Sequence, residues 1–337
     1  MIRIQKPFEN KVIIIFSVKS RIYAFKFYLI SVKAIQINNI INCTHKISSK
    51  LIELNSKKKQ HLKVPKVIIY IGKILQFFSV KLTTLYLAKL FTTPIKHKIP
   101  KRELEMDDNS FKKTLLIPEI GKKIVVYQYG KSEKKILLVH GWSGRGTQLV
   151  KFADAFVDKG YATISFDAPA HGKSPGNSTI MTEFITSIIE IDEKFGPFEA
   201  AVGHSLGGMA LLNAIKKGLE INRLVIIGSG DKVKDILEDF VSKLKLKSEF
   251  SSHLQKHFEK KYNEPMENYS GHSAAKTIDI PVLVIHDEND YEVPVEASIN
   301  INNNLKNGEL MITKHLGHRK ILGNPFVIEK TIEFITN

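Results

Sequence analysis

From Ser110 onward, short apolar runs alternate with longer stretches in which apolar residues recur every three or four positions. The short runs predict eight strands, namely TLLIP, KIVVYQY, KILLVHG, ATISFDAP, EAAVGHS, LVIIGSG, VLVIHD and LMITKH. Helical periodicity lies between the later strands, at 147–159, 179–194, 206–219, 294–305 and 325–336. Strands that alternate with helices form right-handed βαβ units, which indicates a mostly parallel sheet with helices on both faces. Because no helix separates the first strands, we expect that edge of the sheet to be antiparallel.

The insert at 232–276 interrupts this alternation between LVIIGSG and VLVIHD. It is rich in Lys and Glu and shows helical periodicity in DILEDFVSKLKLK and FSSHLQKHFEKKY. We therefore expect a small helical cap on an α/β domain that extends over residues 107–337.

Residues 64–93 form a nearly continuous apolar stretch with lysines at intervals of seven and eight: Lys66, Lys73, Lys81 and Lys89. At about 100° per residue, the first three lysines fall on one side of a helix, with Thr84 beside them. This pattern predicts one strongly apolar amphipathic helix, or two short ones, within a basic helical extension at 63–106. The segment fits an anionic membrane surface, where its lysines meet lipid headgroups, or a position packed over the main domain or in a dimer.

The formal net charge of +16 belongs to the first third of the chain. Residues 1–106 contain 21 basic and 4 acidic residues, whereas residues 107–337 contain 29 basic and 30 acidic ones. The α/β domain therefore has no charge bias toward a phosphate backbone or a membrane. No aromatic-interleaved groove or known binding module accompanies the basic residues, so we expect no nucleic-acid partner.

Residues 1–62 do not have the pattern of a compact domain, because β-branched runs mix there with lysines and arginines. Their apolar runs are interrupted well short of the roughly 18 residues that a membrane span requires. No small-residue cleavage site follows, as a signal peptide would need. We expect a poorly ordered or artefactually extended N-terminus.

Cys43 is the single cysteine of the chain, so no intrachain disulfide can form, and one reason to expect an oxidising compartment is removed. We expect a cytoplasmic protein, with any membrane association through residues 64–93. No group of cysteines and histidines has zinc-ligand spacing. We expect neither a metal nor an organic cofactor, and the oligomeric state stays open.

The stretch GHSLG, from Gly203 to Gly207, lies between a predicted strand and a predicted helix. This is the context of the G-x-S-x-G nucleophile elbow, a sharp turn that lifts a serine hydroxyl clear of the backbone. The helix after the turn directs free N–H groups and the positive end of its dipole at the same point. Ser205 is therefore the candidate nucleophile. A glycine-rich turn needed only for tight helix packing is the structural alternative.

A serine nucleophile needs a general base, and the base needs a carboxylate that orients it. Asp290 and His318 both follow predicted strands, at the carboxyl ends where open α/β sheets build their sites. We take His318 as the base and Asp290 as the orienting acid. Asp231 is an alternative acid, while Asp287 is interpreted as a structural or loop carboxylate.

Other polar residues near these motifs are not assigned a chemical role. His315 is expected at the end of the last strand, partly buried and hydrogen-bonded, and His204 on the elbow is expected to point away from the base. In the loop SFDAPAHGKSPG, side-chain hydrogen bonds to the backbone are expected from Asp167, His171 and Ser174.

Acyl transfer also needs backbone N–H groups that stabilise the developing oxyanion. The stretch KILLVHGWSGRG ends a strand and turns toward a helix, which places the N–H of Trp142 at the same edge of the sheet. Together with the N–H of Leu206, directly after the nucleophile, it makes the predicted oxyanion hole. The indole of Trp142 is expected to line a pocket.

In chain order, the motifs HGW, D-x-P-x-H-G-x-S, GHSLGG, D-x-x-V-P and GH resemble those of the α/β-hydrolase superfamily over roughly residues 110–337. The resemblance implies an eight-stranded sheet, a mobile cap and a triad of Ser205, Asp290 and His318. It also implies a serine hydrolase of the esterase, lipase or aminopeptidase type, with a small-molecule acyl ester as substrate. The acid motif departs from the usual form, since Glu288-Asn289 stands where a glycine often occurs, and this weakens Asp290 against its neighbours.

Two other functions remain open at this point. An acyltransferase would use the same acyl-enzyme with an acceptor other than water. A non-catalytic protein could bind a ligand on the same scaffold. A fold does not fix a function, and these motifs do not name the acyl chain of a substrate.

Overall fold

A computed structural model describes residues 64–337, in which a single sheet carries the functional loops. Its strands are β1 (Phe111–Ile117), β2 (Lys122–Tyr129), β3 (Lys135–Val139), β4 (Ala162–Asp167), β5 (Ala200–His204), β6 (Arg223–Ile227), β7 (Val282–Asp287) and β8 (Gly308–Thr313). They lie side by side in the order β1-β2-β4-β3-β5-β6-β7-β8. The pairs β1–β2 and β2–β4 are antiparallel, and all the others are parallel. The predicted eight-stranded, mostly parallel sheet with an antiparallel leading edge is confirmed.

The α-helices of the described residues are α1 (Lys66–Phe78), α2 (Val80–Phe91), α3 (Leu104–Asn109), α4 (Val150–Asp158), α5 (Met181–Phe195), α6 (Leu206–Lys216), α7 (Val233–Lys243), α8 (Glu249–Tyr262), α9 (Gly271–Ala275), α10 (Val295–Asn304), α11 (Gly317–Lys320) and α12 (Pro325–Thr336). Short 3₁₀ turns lie at Lys101–Glu103, Pro118–Ile120, Met266–Tyr269 and Ile321–Gly323. The five helices predicted between the later strands correspond to α4, α5, α6, α10 and α12.

Both faces of the sheet are buried because successive side chains on a strand point to opposite sides. On β3, Leu137 and Val139 join one core cluster, while Ile136 and Leu138 join the other. Helices α5 and α6 cover the first face, and α4 and α12 cover the second. Strands buried on both faces are apolar along their whole length, which explains runs such as KILLV and RLVII.

The insert forms a cap in which α7 and α8 share a third apolar cluster. Its members include Val233, Leu237, Val241, Phe250, Leu254 and Phe258. The end of the insert returns to the domain, since Ala274 and Ala275 of α9 belong to the core cluster on the sheet. The cap is therefore made by α7 and α8, and α9 anchors it.

Residues 64–93 form two helices, the second of the two forms predicted from their pattern. The break is at Ser79, whose backbone is extended (φ −159°, ψ 119°) and whose Oγ accepts the N–H of Leu82 as an N-cap. Helix α2 packs on the cap through Leu87 and Ala88, which join its apolar cluster. Helix α1 lies outside α2 on the surface of the same compact unit.

The expectation of a poorly ordered or artefactual segment at 1–62 lies outside the described residues. Within residues 64–337, no helix has the length and apolar content that crossing a bilayer requires.

Candidate active site

Ser205 occupies the sharp turn between β5 and α6. Its backbone has φ 54° and ψ −120°, a conformation that residues other than glycine rarely adopt. Its N–H donates to the Ile227 carbonyl at 2.9 Å, and its own carbonyl accepts the N–H of Gly208 at 3.0 Å. The strained turn is thus held at both ends, and Ser205 lines a cavity between the sheet and the cap.

The glycines around Ser205 are required by the close approach of neighbouring backbone. A Cβ on Gly207 would lie 2.3 Å from the carbonyl oxygen of Val139, and one on Gly203 would lie 2.7 Å from the nitrogen of Gly208. Real Cβ atoms do not approach other atoms so closely. Tight packing therefore explains the glycines of the motif, but it does not explain why a half-buried serine lines the cavity at the strained turn.

Asp290 and His318 meet although 28 positions separate them in the sequence. The Nδ1–H of His318 donates to Asp290 Oδ2 at 2.6 Å, and their side chains are only 8% and 1% exposed. The other oxygen, Oδ1, accepts the N–H groups of Glu292 at 2.8 Å and Val293 at 2.9 Å. A neutral imidazole that donates from Nδ1 leaves the lone pair of Nε2 available for a proton.

His286 lies inside β7 and contacts Asp290. The sequence did not predict this contact. Its Nε2 lies 3.0 Å from the carbonyl oxygen of Val293 and 3.5 Å from Asp290 Oδ2, and its Nδ1 lies 2.6 Å from Ser298 Oγ. Burial alone would raise the pKa of Asp290, but the hydrogen bonds from His286 and His318 hold it well below its usual range. Asp290 is therefore ionised at neutral pH. The signal in the sequence was a histidine inside the apolar strand VLVIHD, because a buried polar side chain needs partners.

Asp287 holds the turn that carries His318. Its carboxylate accepts the N–H groups of Leu316 at 3.0 Å and Gly317 at 2.9 Å, and the hydroxyl of Thr313 at 2.8 Å. Burial alone would raise the pKa of Asp287, but these donors lower it below its usual value. The contacts support the interpretation of Asp287 as structural. His318 itself lies on the one-turn helix α11 rather than in an open loop.

The expectation that His204 points away from the base is wrong. Its ring centroid lies 4.6 Å from that of His318, and its Nε2–H donates to the His318 carbonyl at 2.9 Å. Complete burial and the neighbouring His318 lower the pKa of His204 to about 3. His204 is thus neutral near pH 7 and links the elbow directly to the turn that carries His318.

Two backbone N–H groups at the cavity have no acceptor in the part of the chain that the structure describes. Those of Trp142 and Leu206 donate no hydrogen bond to any group within residues 64–337. The next N–H along the loop, that of Ser143, is engaged by His171 Nε2 at 3.0 Å. Trp142 and Leu206 line the same cavity as Ser205, as an oxyanion hole requires.

The loop after β4 is fixed by a buried carboxylate, as expected. Asp167 accepts the N–H groups of Gly146 and Lys173, each at 2.7 Å, and the hydroxyl of Tyr127 at 2.8 Å. Ser174 Oγ donates to the carbonyl of Asp167 at 2.5 Å. Because Gly146 belongs to the loop that follows β3, the same carboxylate also positions the backbone near Trp142.

The cavity above Ser205 has a volume of about 930 Å³. The indole of Trp142 lines it, as expected, and is 37% exposed. Apolar walls come from α2, α5, α6 and α7, through Leu90, Phe91, Met181, Met209, Ile236 and Phe240. These walls suit an apolar group, while charged residues such as Asp239, Lys243 and Glu296 line other parts of the same cavity.

Asp231, the alternative acid, is occupied by other partners. Its Oδ1 lies 2.8 Å from His272 Nδ1 and also accepts the N–H of that residue, while its Oδ2 accepts from Asn300 Nδ2 at 2.5 Å. Both oxygens are thus committed to groups other than His318. The geometry favours Asp290 as the carboxylate that orients the imidazole.

His315 does not lie where the sequence predicted it. Strand β8 ends at Thr313, and His315 lies in the following turn with φ 65°. Its side chain is exposed, and its N–H donates to Asn289 Oδ1 at 2.9 Å. The strand ends early because the chain must turn here to reach α11, a turn that also uses Gly317 at φ 62°.

Within the described residues, Ser205 Oγ forms no hydrogen bond. Catalytic hydrogen bonds are often loose before the substrate binds, so this geometry is compatible with a nucleophile. Residues 64–337 also contain no group of three or more His, Cys, Asp or Glu side chains that could hold a metal ion.

A family model, that of the alpha/beta hydrolase family, matches residues 136–318, which is more than half of the chain. The chain belongs to the alpha/beta hydrolase family. The matched range of this alpha/beta hydrolase contains Trp142, Ser205, Leu206, Asp290 and His318.

An uncharacterized 31.7 kDa protein in the traX-finO intergenic region of Escherichia coli is 32% identical over 147 residues. That match spans 40% of this chain and 51% of the relative, about half of its length.

Solved structures share the fold at low sequence identity. An esterase from Exiguobacterium antarcticum superposes with a TM-score of 0.53 at 17% identity, over 67% of this chain and 100% of the esterase. A putative lipase from Acinetobacter baumannii AYE superposes with a TM-score of 0.53 at 19% identity, over 71% of this chain and 97% of the lipase. A bromoperoxidase from Bacillus anthracis superposes with a TM-score of 0.51 at 16% identity, over 67% of this chain and 99% of the bromoperoxidase. This alpha/beta hydrolase therefore shares its fold with proteins named for different activities.

Proposed function

We propose that this chain is a serine hydrolase that cleaves a carboxylic ester through an acyl-enzyme on Ser205. Membership of the alpha/beta hydrolase family supports hydrolase activity in general. The observation that carries the finer proposal is the buried 2.6 Å hydrogen bond between His318 and Asp290, beside the elbow. A carboxylate on Nδ1 fixes the tautomer in which Nε2 can take a proton from a serine hydroxyl.

In the first half-reaction, Ser205 Oγ attacks the ester carbonyl carbon while its proton passes to His318 Nε2. The free N–H groups of Trp142 and Leu206 stabilise the oxyanion that forms. The proton on Nε2 then passes to the leaving alkoxide, which departs as the alcohol and leaves the acyl group on Oγ. Asp290 stays ionised throughout, because its pKa lies below the usual range.

In the second half-reaction, water replaces the alcohol. His318 Nε2 takes a proton from the water as its oxygen attacks the acyl carbonyl, and the same N–H groups stabilise the second oxyanion. Collapse of this intermediate releases the carboxylic acid and returns the proton to Ser205. Every proton that leaves an attacking oxygen is thus returned to a leaving oxygen, so no further acid or base is needed.

The substrate proposed from the cavity has an apolar acyl group. The cavity lining includes the apolar side chains of Met181, Met209, Ile236 and Phe240, which can hold an acyl chain, beside charged residues at other points of the wall. A volume of about 930 Å³ also accommodates more than an acetyl group. The structural relatives whose names are esterase and putative lipase support an ester, whereas the bromoperoxidase shows that the fold alone does not.

The proposal is tested by labelling with a fluorophosphonate probe and by hydrolysis of p-nitrophenyl esters of increasing chain length. Ser205→Ala should abolish both labelling and turnover while the fold is retained. The matched control is Ser251→Ala, since Ser251 is a buried serine of the cap whose hydroxyl donates to the Ser248 carbonyl and, within residues 64–337, to nothing else. Labelling of Ser205→Ala at the level of the parent protein would overturn the assignment.

Product analysis in the presence of an added alcohol separates the hydrolase from the acyltransferase. If water is the acceptor, the free acid is the main product at every alcohol concentration used. An ester of the added alcohol as main product at low alcohol concentration would instead identify an acyltransferase with the same acyl-enzyme.

A further inference from the structure

The outward face of α1 is apolar, although surface helices normally turn polar residues to solvent. Its exposed residues are Val67, Tyr70, Ile71, Ile74, Phe77 and Phe78, here called the docking face. At 100° per residue, they fall within an arc of roughly 120°. The side chains of Phe77 and Phe78 are 83% and 75% exposed, and their rings pack edge to face on each other.

The opposite side of α1 faces the protein. A Cβ on Gly72 would lie 3.1 Å from Leu246 of the cap, and Gln76 accepts the N–H of Lys247 at 3.2 Å. The Tyr86 hydroxyl of α2 donates to the carbonyl of Ile68 at 2.9 Å. The orientation of α1 is thus fixed, and no other element among residues 64–337 covers its apolar face.

Lysines border the docking face, and no acidic residue interrupts them. Residues 64–102 contain eight basic and no acidic residues, and all eight basic side chains are exposed. Lys66 and Lys73 fall at one edge of the apolar arc on α1, and Lys81 and Lys89 lie on the outer side of α2. None of these four forms an ion pair within residues 64–337.

We propose that the docking face inserts into the headgroup region of an anionic membrane, with the bordering lysines on lipid headgroups. An apolar face with large aromatic residues, flanked by lysines, is the pattern of a helix that lies in the plane of a bilayer interface. Such a surface supplies hydrocarbon for the aromatic side chains and negative charge for the lysines at the same time.

Charge argues against two other occupants of the docking face. Residues 1–63, which precede it in the chain, contain 13 basic and 2 acidic residues, so they carry the same sign as the lysine border. A second copy of the chain, bound through the same face, would also bring like charges together. An anionic lipid surface has the complementary sign.

Docking would have a consequence for the site that rests on the proposed function. Helix α2 carries Lys81 and Lys89 on its outer side, while Leu90 and Phe91 at its end line the cavity. The docked helices would therefore place one wall of the cavity near the lipid, which suits an apolar acyl substrate. Membrane binding itself does not depend on this activity.

The test is flotation of the full-length protein with vesicles of phosphatidylcholine, alone or with about 30 mol% phosphatidylserine. The parent protein should bind the anionic vesicles and bind the neutral ones much less. Phe77→Ser with Phe78→Ser should weaken binding at least tenfold, since one buried phenylalanine contributes about tenfold or more. Lys66→Glu with Lys73→Glu should weaken it by a similar factor, and raising the salt should weaken binding by the parent.

The matched control is Phe111→Ser with Phe326→Ser, which removes two exposed aromatic residues from β1 and α12. It should bind anionic vesicles as the parent does. Phe77→Ser with Phe78→Ser should also hydrolyse a soluble short-chain ester at the parent rate, so that loss of docking is distinguished from loss of the active site.

Three outcomes would overturn the proposal. The first is a parent protein that does not bind anionic vesicles, as expected if an acidic protein is the true partner. The second is a phenylalanine variant that binds like the parent, which would assign vesicle binding to other basic residues such as those at 1–63. The third is self-association that this variant abolishes, without vesicle binding by the parent, which would assign the face to a second copy of the chain.

Discussion

The turns after β7 and β8 contrast with the helices α1 and α2 in how their side chains find partners. Asp287 and Asp290 are almost completely buried, and each carboxylate is bonded to donors of the same domain. Phe77 and Phe78 are the opposite case, because they are apolar and mostly in contact with solvent. Buried polar groups must be satisfied inside the chain, whereas a large exposed apolar face indicates a partner outside it.

The largest expected effect comes from removing the charge of the buried carboxylate Asp290. Asp290→Asn keeps the size of the side chain but removes the charge that orients the imidazole of His318. By analogy with an amide at the acid of a serine triad, kcat should fall by about 10⁴. Steady-state kinetics on a p-nitrophenyl ester measures this fall.

Asp231→Asn is the control for that experiment. Its carboxylate is bonded to His272 and Asn300, so kcat should stay within about threefold of the parent even if stability falls. A fall of about 10³ or more in Asp231→Asn, with Asp290→Asn close to the parent, would transfer the role of the acid to Asp231.

The next effect concerns the carboxylate that holds the turn of His318. Asp287→Ala would leave the N–H groups of Leu316 and Gly317 without their acceptor, and the Thr313 hydroxyl with only the His286 carbonyl at 3.4 Å. A buried group left unsatisfied costs about 1–3 kcal/mol, and these two N–H groups are partly buried, so the free energy of unfolding should fall by roughly 2 kcal/mol or more. Urea denaturation measures this loss of stability. Asp287→Asn keeps one acceptor oxygen, so its stability should lie between those of the parent and Asp287→Ala. A loss below about 1 kcal/mol would show that water replaces the carboxylate.

Features that depend on local pattern were predicted from the sequence. Alternation of apolar runs and helical stretches placed all eight strands, and the order of short motifs placed Ser205, Asp290 and His318 at strand ends. These features depend on residues that are neighbours in the chain, so they can be recognised without the fold. The catalytic roles of the three residues, however, stay predictions.

Contacts between distant parts of the chain could not be predicted in the same way. His204 and His318 are 114 positions apart, and no pattern around GHSLG indicates that the histidine will bond to that carbonyl. Likewise, the apolar and lysine pattern of residues 64–93 did not specify which face α2 buries on the cap. In both cases the answer depends on the shape of a second element, which the local pattern does not contain.

The pH dependence of stability tests whether the buried histidine His204 is neutral in the folded protein. Burial lowers its folded pKa to about 3, whereas an unfolded histidine titrates near 6.5. Between these values the unfolded chain binds a proton that the folded chain excludes, so stability falls as the pH falls. His204→Gln keeps an N–H donor for the His318 carbonyl but cannot be protonated. Its stability should therefore depend less on pH between about 4 and 6, by up to about 1.4 kcal/mol per pH unit.

Urea unfolding at several pH values measures that difference in slope. Above about pH 7.5 the difference in stability between the two proteins should no longer change with pH, because His204 is then neutral in both the folded and the unfolded parent. Parallel profiles for the parent and His204→Gln between about pH 4 and 6 would mean that His204 is protonated in the folded state.

The smallest effect is expected on the exposed side of the comparison. Phe77→Ser with Phe78→Ser removes side chains that contact mainly each other and solvent, so the free energy of unfolding without lipid should change by less than about 0.5 kcal/mol. Leu87→Ser on the neighbouring helix is the contrast, since Leu87 is fully buried against the cap and its loss should cost about 3 kcal/mol or more. Urea denaturation measures both. A large loss in the phenylalanine variant would mean that these rings already have a partner within the chain, and that the open face of α1 serves folding instead of docking.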